Sequence, residues 1–269
     1  MVFIFFLAPC LSAGAQEGVT QQVDGFTLEG FSKTGERSWQ VNGATADVQN
    51  DVILISDVDA NAYGDNTVNI KAKTGEYDKT SGNVRLKEDV VVTMDNGGQL
   101  KTDTLDWDKQ TNMIVTDEHA VITDDGLLAK GKGLKASPDR KVAQLNENVT
   151  VEVETASTEG QKEKIYISCD GPMEIDQLNN VAVLKDNVVA VRGDQTLKAD
   201  HAEVHFDPET KKIATIICTD NVSVTRGGNT SYSDKAIYSA ADQKVIFVGR
   251  PKLILEADNT KGDPVLFGD

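Results

Sequence analysis

Three histidines, His119, His201 and His205, are the first residues here whose type could do chemistry. His201 and His205 stand four apart, a spacing that brings two imidazoles together on a helix. Their surroundings, "LKADHAEVHF", alternate as a strand does, and four strand residues span roughly 13 Å. Both would lie on the face opposite Ala202 and Val204, in solvent, so a metal is not expected. "DVDANAYGDN" at 57–66 offers Asp57, Asp59 and Asn61 in the order of a calcium loop. Its Gly64 comes too late, and position 68 is Val where a Glu is needed, so the segment reads as a solvated turn. There is no phosphate loop, dinucleotide fingerprint or CxxC. Acidic residues are spread over turns and outer faces, and no acidic ladder is read at matching positions. No catalytic residue, metal site or cofactor is expected.

With little chemistry on offer, the composition bounds the class. Of 269 residues, 39% are apolar and 6% aromatic, so a core must come from Val, Ile, Leu and Ala. The formal charge of −16 repels a phosphate backbone and argues against a nucleic-acid partner. "MVFIFFLAPCLSAGA", residues 1–15, is an apolar run ending in small residues, as at a signal-peptidase site after Ala15. It is shorter than the roughly 20 residues of a membrane span. Export is the expectation, with a short N-terminal anchor as the alternative. Cys169 and Cys218 remain in an exported chain, either as a disulfide or as two small buried residues.

The elements repeat. An apolar residue recurs four positions before a second one: Leu54 and Val58, Leu86 and Val90, Leu145 and Val149, Leu184 and Val188, Cys218 and Val222. Weaker copies are Thr116 with Ala120 and Phe247 with Pro251. The second members recur about every 30 residues, with one step of 39 between Val149 and Val188. Between them lies an "L-x-A-x-x-A-x-Y"-like strand, as in Ile70, Ala72, Gly75 and Tyr77, or Leu197, Ala199, Ala202 and Val204. Its phase slips by one residue, which a β-bulge restores. Turn residues separate the strands at 79–82, 96–98, 124–126, 193–194 and 227–228.

The expected fold is all-β: a repeat-built, twisted β-jelly roll or solenoid of antiparallel strands, because a two-strand unit buries its apolar face only against its neighbours. Seven units at 4.8 Å each give roughly 35 Å. The polar stretch 155–164 reads as a linker between halves at 24–154 and 165–256, and 257–269 as a tail. Small inward residues such as Ala72, Gly75, Ala199 and Ala202 would leave an open trough between sheets. Such a trough suits acyl chains, which gain about 0.8 kcal/mol per buried CH₂. Its expected walls are Tyr77, Leu86, Val90, Leu105, Trp107, Leu145, Val149, Met173, Ile175, Leu184, Val188, Leu197, Val204, Ile216, Val222 and Val224. A structural envelope solenoid with only protein partners is the alternative, and a glycan-acting enzyme the third reading.

"GFSKTGERSWQVNGATADV" followed by "IKAKTGEYDKTSGNVRLKEDVVVTMDNGGQLKTDTLDWD" resembles LptC, a periplasmic component of lipopolysaccharide export, over about 25–154. "ISCDGPMEIDQLNNVAVLKDNVVAVRGDQTLKADHAEVHFDPETKKIATIICTDNVSVTRGG" resembles LptA, the OstA-like bridge protein, over about 167–256. The resemblance implies a β-jelly roll without catalysis that shields lipid A acyl chains on their way from the inner toward the outer membrane. It also implies partners joined by edge-strand pairing, including the inner-membrane ABC exporter complex and the outer-membrane translocon. LptC relatives usually keep an N-terminal membrane helix, which the short apolar run here does not match.

Overall fold

In a computed structural model the structure describes residues 21–256 apart from 33, 65, 66, 157–161, 211 and 243. The expected export segment at 1–15 and the expected tail at 257–269 lie outside the described residues. Among the described residues seventeen strands, β1 (Gln21–Phe31) to β17 (Lys252–Ile254), form one antiparallel sheet in which strands close in the chain lie side by side. Two positions in the sheet are shared. β10 (Lys162–Cys169) and β11 (Met173–Asp176) both pair with β9 (Val142–Ala156) and with β12 (Val181–Arg192). They are one strand interrupted at Asp170-Gly171-Pro172. β16 (Lys244–Val248) and β17 likewise share the far side of β15 (Asn229–Ser239), interrupted at Gly249-Arg250-Pro251. Each repeat thus adds two strands to the same sheet, and the stack runs about 70 Å at 4.8 Å per strand, twice the length expected from one strand per repeat.

A row of corners folds this ribbon into the jelly roll. Near its middle almost every long strand breaks register and reverses its pleat. On β5 (Val84–Met94) the break falls between Lys87 and Val90, on β12 between Lys185 and Val188, and on β14 (Ile213–Arg226) between Thr219 and Val222. The residues at these corners, Glu88-Asp89, Asp186-Asn187 and Asp220-Asn221, have φ between 52° and 65°. Asp and Asn tolerate this left-handed region better than other non-glycine residues. Two such residues bend the strand and return the next side chain to the inner face. The four-residue spacing of Leu86 and Val90, or Leu184 and Val188, is therefore the span of a corner, with one apolar residue on each arm. In β3 (Val52–Ala62) only Asp57 is left-handed, and the buried partner of Val58 is Ile55, three residues before it, in place of the expected Leu54.

The intervening strands make the bulge that the sequence phase required. β4 (Val68–Asp78) shifts register between Lys71 and Thr74, and β13 (Gln195–Phe206) between Lys198 and His201. Turns close the units, several on an Asp that accepts backbone bonds. Asp78 takes the N–H of Thr80 at 2.7 Å, and Asp207 that of Thr210 at 2.7 Å. Asp78, Asp108 and Asp176 have their pKa values lowered by such bonds. The expected copy at Phe247 and Pro251 is absent: Phe247 packs on the core, but Pro251 lies exposed in the interruption between β16 and β17.

Candidate functional site: an apolar trough

Folding along the corners creates four inward rows that cross the sheet. Two floor rows flank the corner line. One contains Leu86, Leu105, Leu145, Met173 and Leu184; the other contains Val90, Val149, Val188 and Val222. All nine are buried, Val90, Val149 and Val222 to 1% exposure. Two wall rows lie two residues farther out. The first runs in unbroken register from Tyr77 through Val84, Trp107, Ile114, Ala136, Ala143, Ile175, Ala182, Val204 and Ile216 to Tyr238. The second runs from Ile70 through Val92, Leu100, Ile122, Ala129, Val151, Ile167, Ala190 and Leu197 to Val224. All sixteen wall residues expected from the sequence fall on these four rows. Tyr77, Trp107, Ile175, Leu197, Ile216 and Val224 are half-buried; Val204 is buried with the floor.

The trough is closed at the corner and opens along the walls. The small residues do not hold space open, as the sequence suggested. Ala72, Ala199 and Ala202 are buried, and a Cβ on Gly75 would stand 3.0 Å from Val58 Cγ2 and 3.3 Å from Leu86 Cδ2. They let the larger side chains of neighbouring strands fill the floor to interior density. Partial exposure is kept by wall residues, among them Trp107, Leu197 and Ile216. At both ends inward apolar groups reach solvent: Val23, Leu28 and Trp39 at one edge, Val245 and Leu253 at the other. A cleft of about 220 Å³ is lined by outward Leu128, Tyr166, Val189 and Val191 together with Val151 and Ile167 of the second wall row.

The wall residues missed in the sequence, among them Val92, Ile122, Val151 and Ile167, sit one alternation step beyond the anchors. Extending the period-two pattern by a single step would have found them. The corner residues were missed too. Along the outside of the fold they form the recurrent acidic line that the sequence reading did not see: Glu88, Glu147, Asp186 and Asp220 each stand two residues before the buried Val90, Val149, Val188 and Val222. Asn187 Nδ2 donates to Asp170 Oδ2 at 2.7 Å, and Asn221 Nδ2 donates to Asp200 Oδ2 at 2.7 Å, tying these two corners to the preceding position in the sheet. Lys73 caps the Asp89 corner at 2.7 Å. These bonds brace the fold line.

The other candidates resolve plainly. His201 is exposed on β13, and His205 Nε2 lies 3.4 Å from Glu203 Oε2. Residues 57–62 belong to strand β3, where the sequence suggested a turn; Asn69 Nδ2 donates to Asp59 Oδ1 at 2.8 Å and to Asn61 Oδ1 at 3.0 Å. Among the described residues no cluster of three potential metal ligands occurs, and no helix is long and apolar enough to cross a membrane. Cys169 and Cys218 are both free and buried. Burial pushes each thiol up to about 11, so they are small apolar fillers of the floor.

Repeated antiparallel units folded around an apolar interior define a jelly-roll protein. The profile of the lipopolysaccharide-assembly, LptC-related family matches residues 11–154, more than half of the chain, and the protein belongs to that family. Residues 166–267 match a second profile, that of the LptA/(LptD N-terminal domain) LPS transport protein. Members of these families are non-enzymatic components of lipopolysaccharide transport, and this chain is one of them. Among solved structures it is similar to LptH, the LptA-homologous periplasmic component of the lipopolysaccharide transport device of Pseudomonas aeruginosa. The identity is 13%, the TM-score 0.34, and the match covers 60% of this chain and 96% of that one. No curated protein sequence matches the chain.

Proposed function

We propose that this protein is a periplasmic bridge that carries lipopolysaccharide with its lipid A acyl chains between the two wall rows and its sugars outside. The observation that carries this reading is the continuity of the walls. Both rows run without a register break, the first from β4 to β15 and the second from β4 to β14, and the second holds only apolar residues over that distance. A dry structural solenoid has no need of half-buried inward Trp107, Leu197 and Ile216. Lipid contact falls to these wall residues, while the buried floor gives the trough its shape. The halves 24–154 and 165–256 act as one trough, since β9 and β10 pair across the polar stretch.

The two edges supply the partners' attachment. Among the described residues β1 pairs only with β2 (Arg37–Gln49), and β16 and β17 only with β15. Open strands with exposed apolar groups, Phe31 at 61% and Leu253 at 60%, accept another strand readily. Jelly-roll export components, the inner-membrane ABC exporter complex and the outer-membrane translocon are the partners proposed for them. Export to the periplasm through residues 1–15, with inner-membrane association through the N-terminus as its variant, completes the reading.

Native mass spectrometry of the protein with lipopolysaccharide tests it. A retained adduct that is lost in Trp107→Asp/Ile216→Asp but kept in Lys198→Asp is expected. Equal loading of the folded variants would place the lipid elsewhere. No adduct, under conditions where a known carrier loads, would favour a scaffold with only protein partners.

A further inference from the structure

One strand pair departs from the pattern that holds the rest of the sheet together. Between β6 (Gln99–Asp108) and β7 (Met113–Asp124) the ladder pairs Lys101 with Val121 and resumes only at Asp106 with Val115. Residues 102–105 and 116–120 therefore face each other without ladder pairing, the widest such gap between neighbouring strands. The floor changes chemistry at the same place. Thr102 and Thr116 are buried inward residues whose hydroxyls lie 3.3 Å apart, and Thr104 Oγ1 lies 3.3 Å from Thr116 Oγ1.

The apolar core divides here as well. One buried cluster ends at Leu105 and the other begins at Ala120; Leu100 packs against both. The corner of β7 explains the gap. Its sequence is Thr116-Asp117-Glu118-His119-Ala120, without the left-handed Asn or Asp of the other corners. Instead Thr116 Oγ1 accepts the N–H of Glu118 at 3.1 Å. A gap in the ladder, polar residues in the floor and a corner without left-handed residues coincide at one seam, while the wall pairs Leu100–Ile122 and Trp107–Ile114 cross it intact.

The geometry points to a joint between β6 and β7, at which the two cores bend relative to each other while the wall rows act as straps. The moving joint then lies inside the LptC-matched segment, away from the join at 155–164. There β9 and β10 pair without a break from Val149–Cys169 to Ala156–Lys162, and one core runs through. Local opening follows few buried contacts and missing backbone bonds. The joint lets the two ends of the sheet take different angles without parting the trough, and it stands whether or not lipid loads.

Hydrogen exchange of the lipid-free full chain tests the joint. Amides of 102–105 and 117–119 are expected to exchange at least about tenfold faster than those of 149–154 and 164–168. Thr102→Val/Thr116→Val, which merges the two cores, is expected to slow the seam and leave the join unchanged. Equal protection of seam and join, or a folded double variant with an unchanged seam, overturns the proposal. Spin-label distances give a readout that does not depend on that variant. In a Cys10→Ser background, labels at Arg85→Cys and Lys135→Cys span the seam, and labels at Thr150→Cys and Lys198→Cys span the join. Both pairs are three strand positions apart. A broader distribution across the seam is expected; equal widths contradict the joint.

Discussion

At the join between the two family-matched segments, β9 and β10 pair in continuous register and the floor passes from Leu145 and Val149 to Cys169 and Met173 without a polar residue. At the seam between β6 and β7, inside one matched segment, the ladder opens and threonines replace the floor. The boundary between sequence families and the boundary between packing units are therefore different places. A polar stretch such as 155–164 marks where insertion is tolerated at a strand end, whereas mechanical weakness requires missing bonds and missing apolar contacts together.

Core truncation sharpens this contrast most. Leu145→Ala at the join should cost about 3 kcal/mol, since it empties a site 2% exposed, whereas Thr116→Ala at the seam should cost about 1 kcal/mol. Thermal unfolding followed by circular dichroism reads both. Alkaline pH comes next. A thiol near 11 in the folded chain and 9.0 in the unfolded one favours unfolding as pH rises through that interval. Stability present below pH 9 should be lost between 9 and 11, by about 2 kcal/mol for each cysteine. Cys169→Ala/Cys218→Ala should flatten this loss in denaturant titrations. In native protein at pH 8 neither thiol should react with maleimide.

Corners come third. Asn187→Ala forces a left-handed alanine and removes the bond to Asp170, for about 1–2 kcal/mol. His119→Asn in the corner of β7, where no left-handed residue stands, should change stability by less. The Lys164–Glu152 pair across β9 and β10 is the smallest effect. As a surface ion pair it should contribute under about 1 kcal/mol, read as the change in urea midpoint of Lys164→Ala with and without added salt.

Much of this was legible in the chain. Period-two alternation gave the strands, turn residues gave their ends, and the four-residue spacing of Leu86–Val90 and Leu184–Val188 gave the floor. The reason for that spacing was not legible from apolar residues alone. It lies in the Glu-Asp and Asp-Asn pairs between them, whose left-handed conformation turns the strand. Leu54 misled for the same reason, because a single left-handed Asp57 makes a shorter corner. The small residues misled because a small residue says nothing of which neighbour fills its room, as Val58 and Leu86 do at Gly75. The seam escaped because threonine fits a strand by propensity and shows its cost only when several meet in the floor.

Site-specific photo-crosslinking to lipopolysaccharide in cells tests the trough most directly. A photoreactive residue would replace Trp107, Leu197 and Ile216 on the walls, and their outward neighbours Asp106, Lys198 and Ile217. The account predicts lipid adducts from the first three, on both sides of the seam, and none from the second three. Adducts of equal yield from both faces, or from the outer face alone, would contradict it.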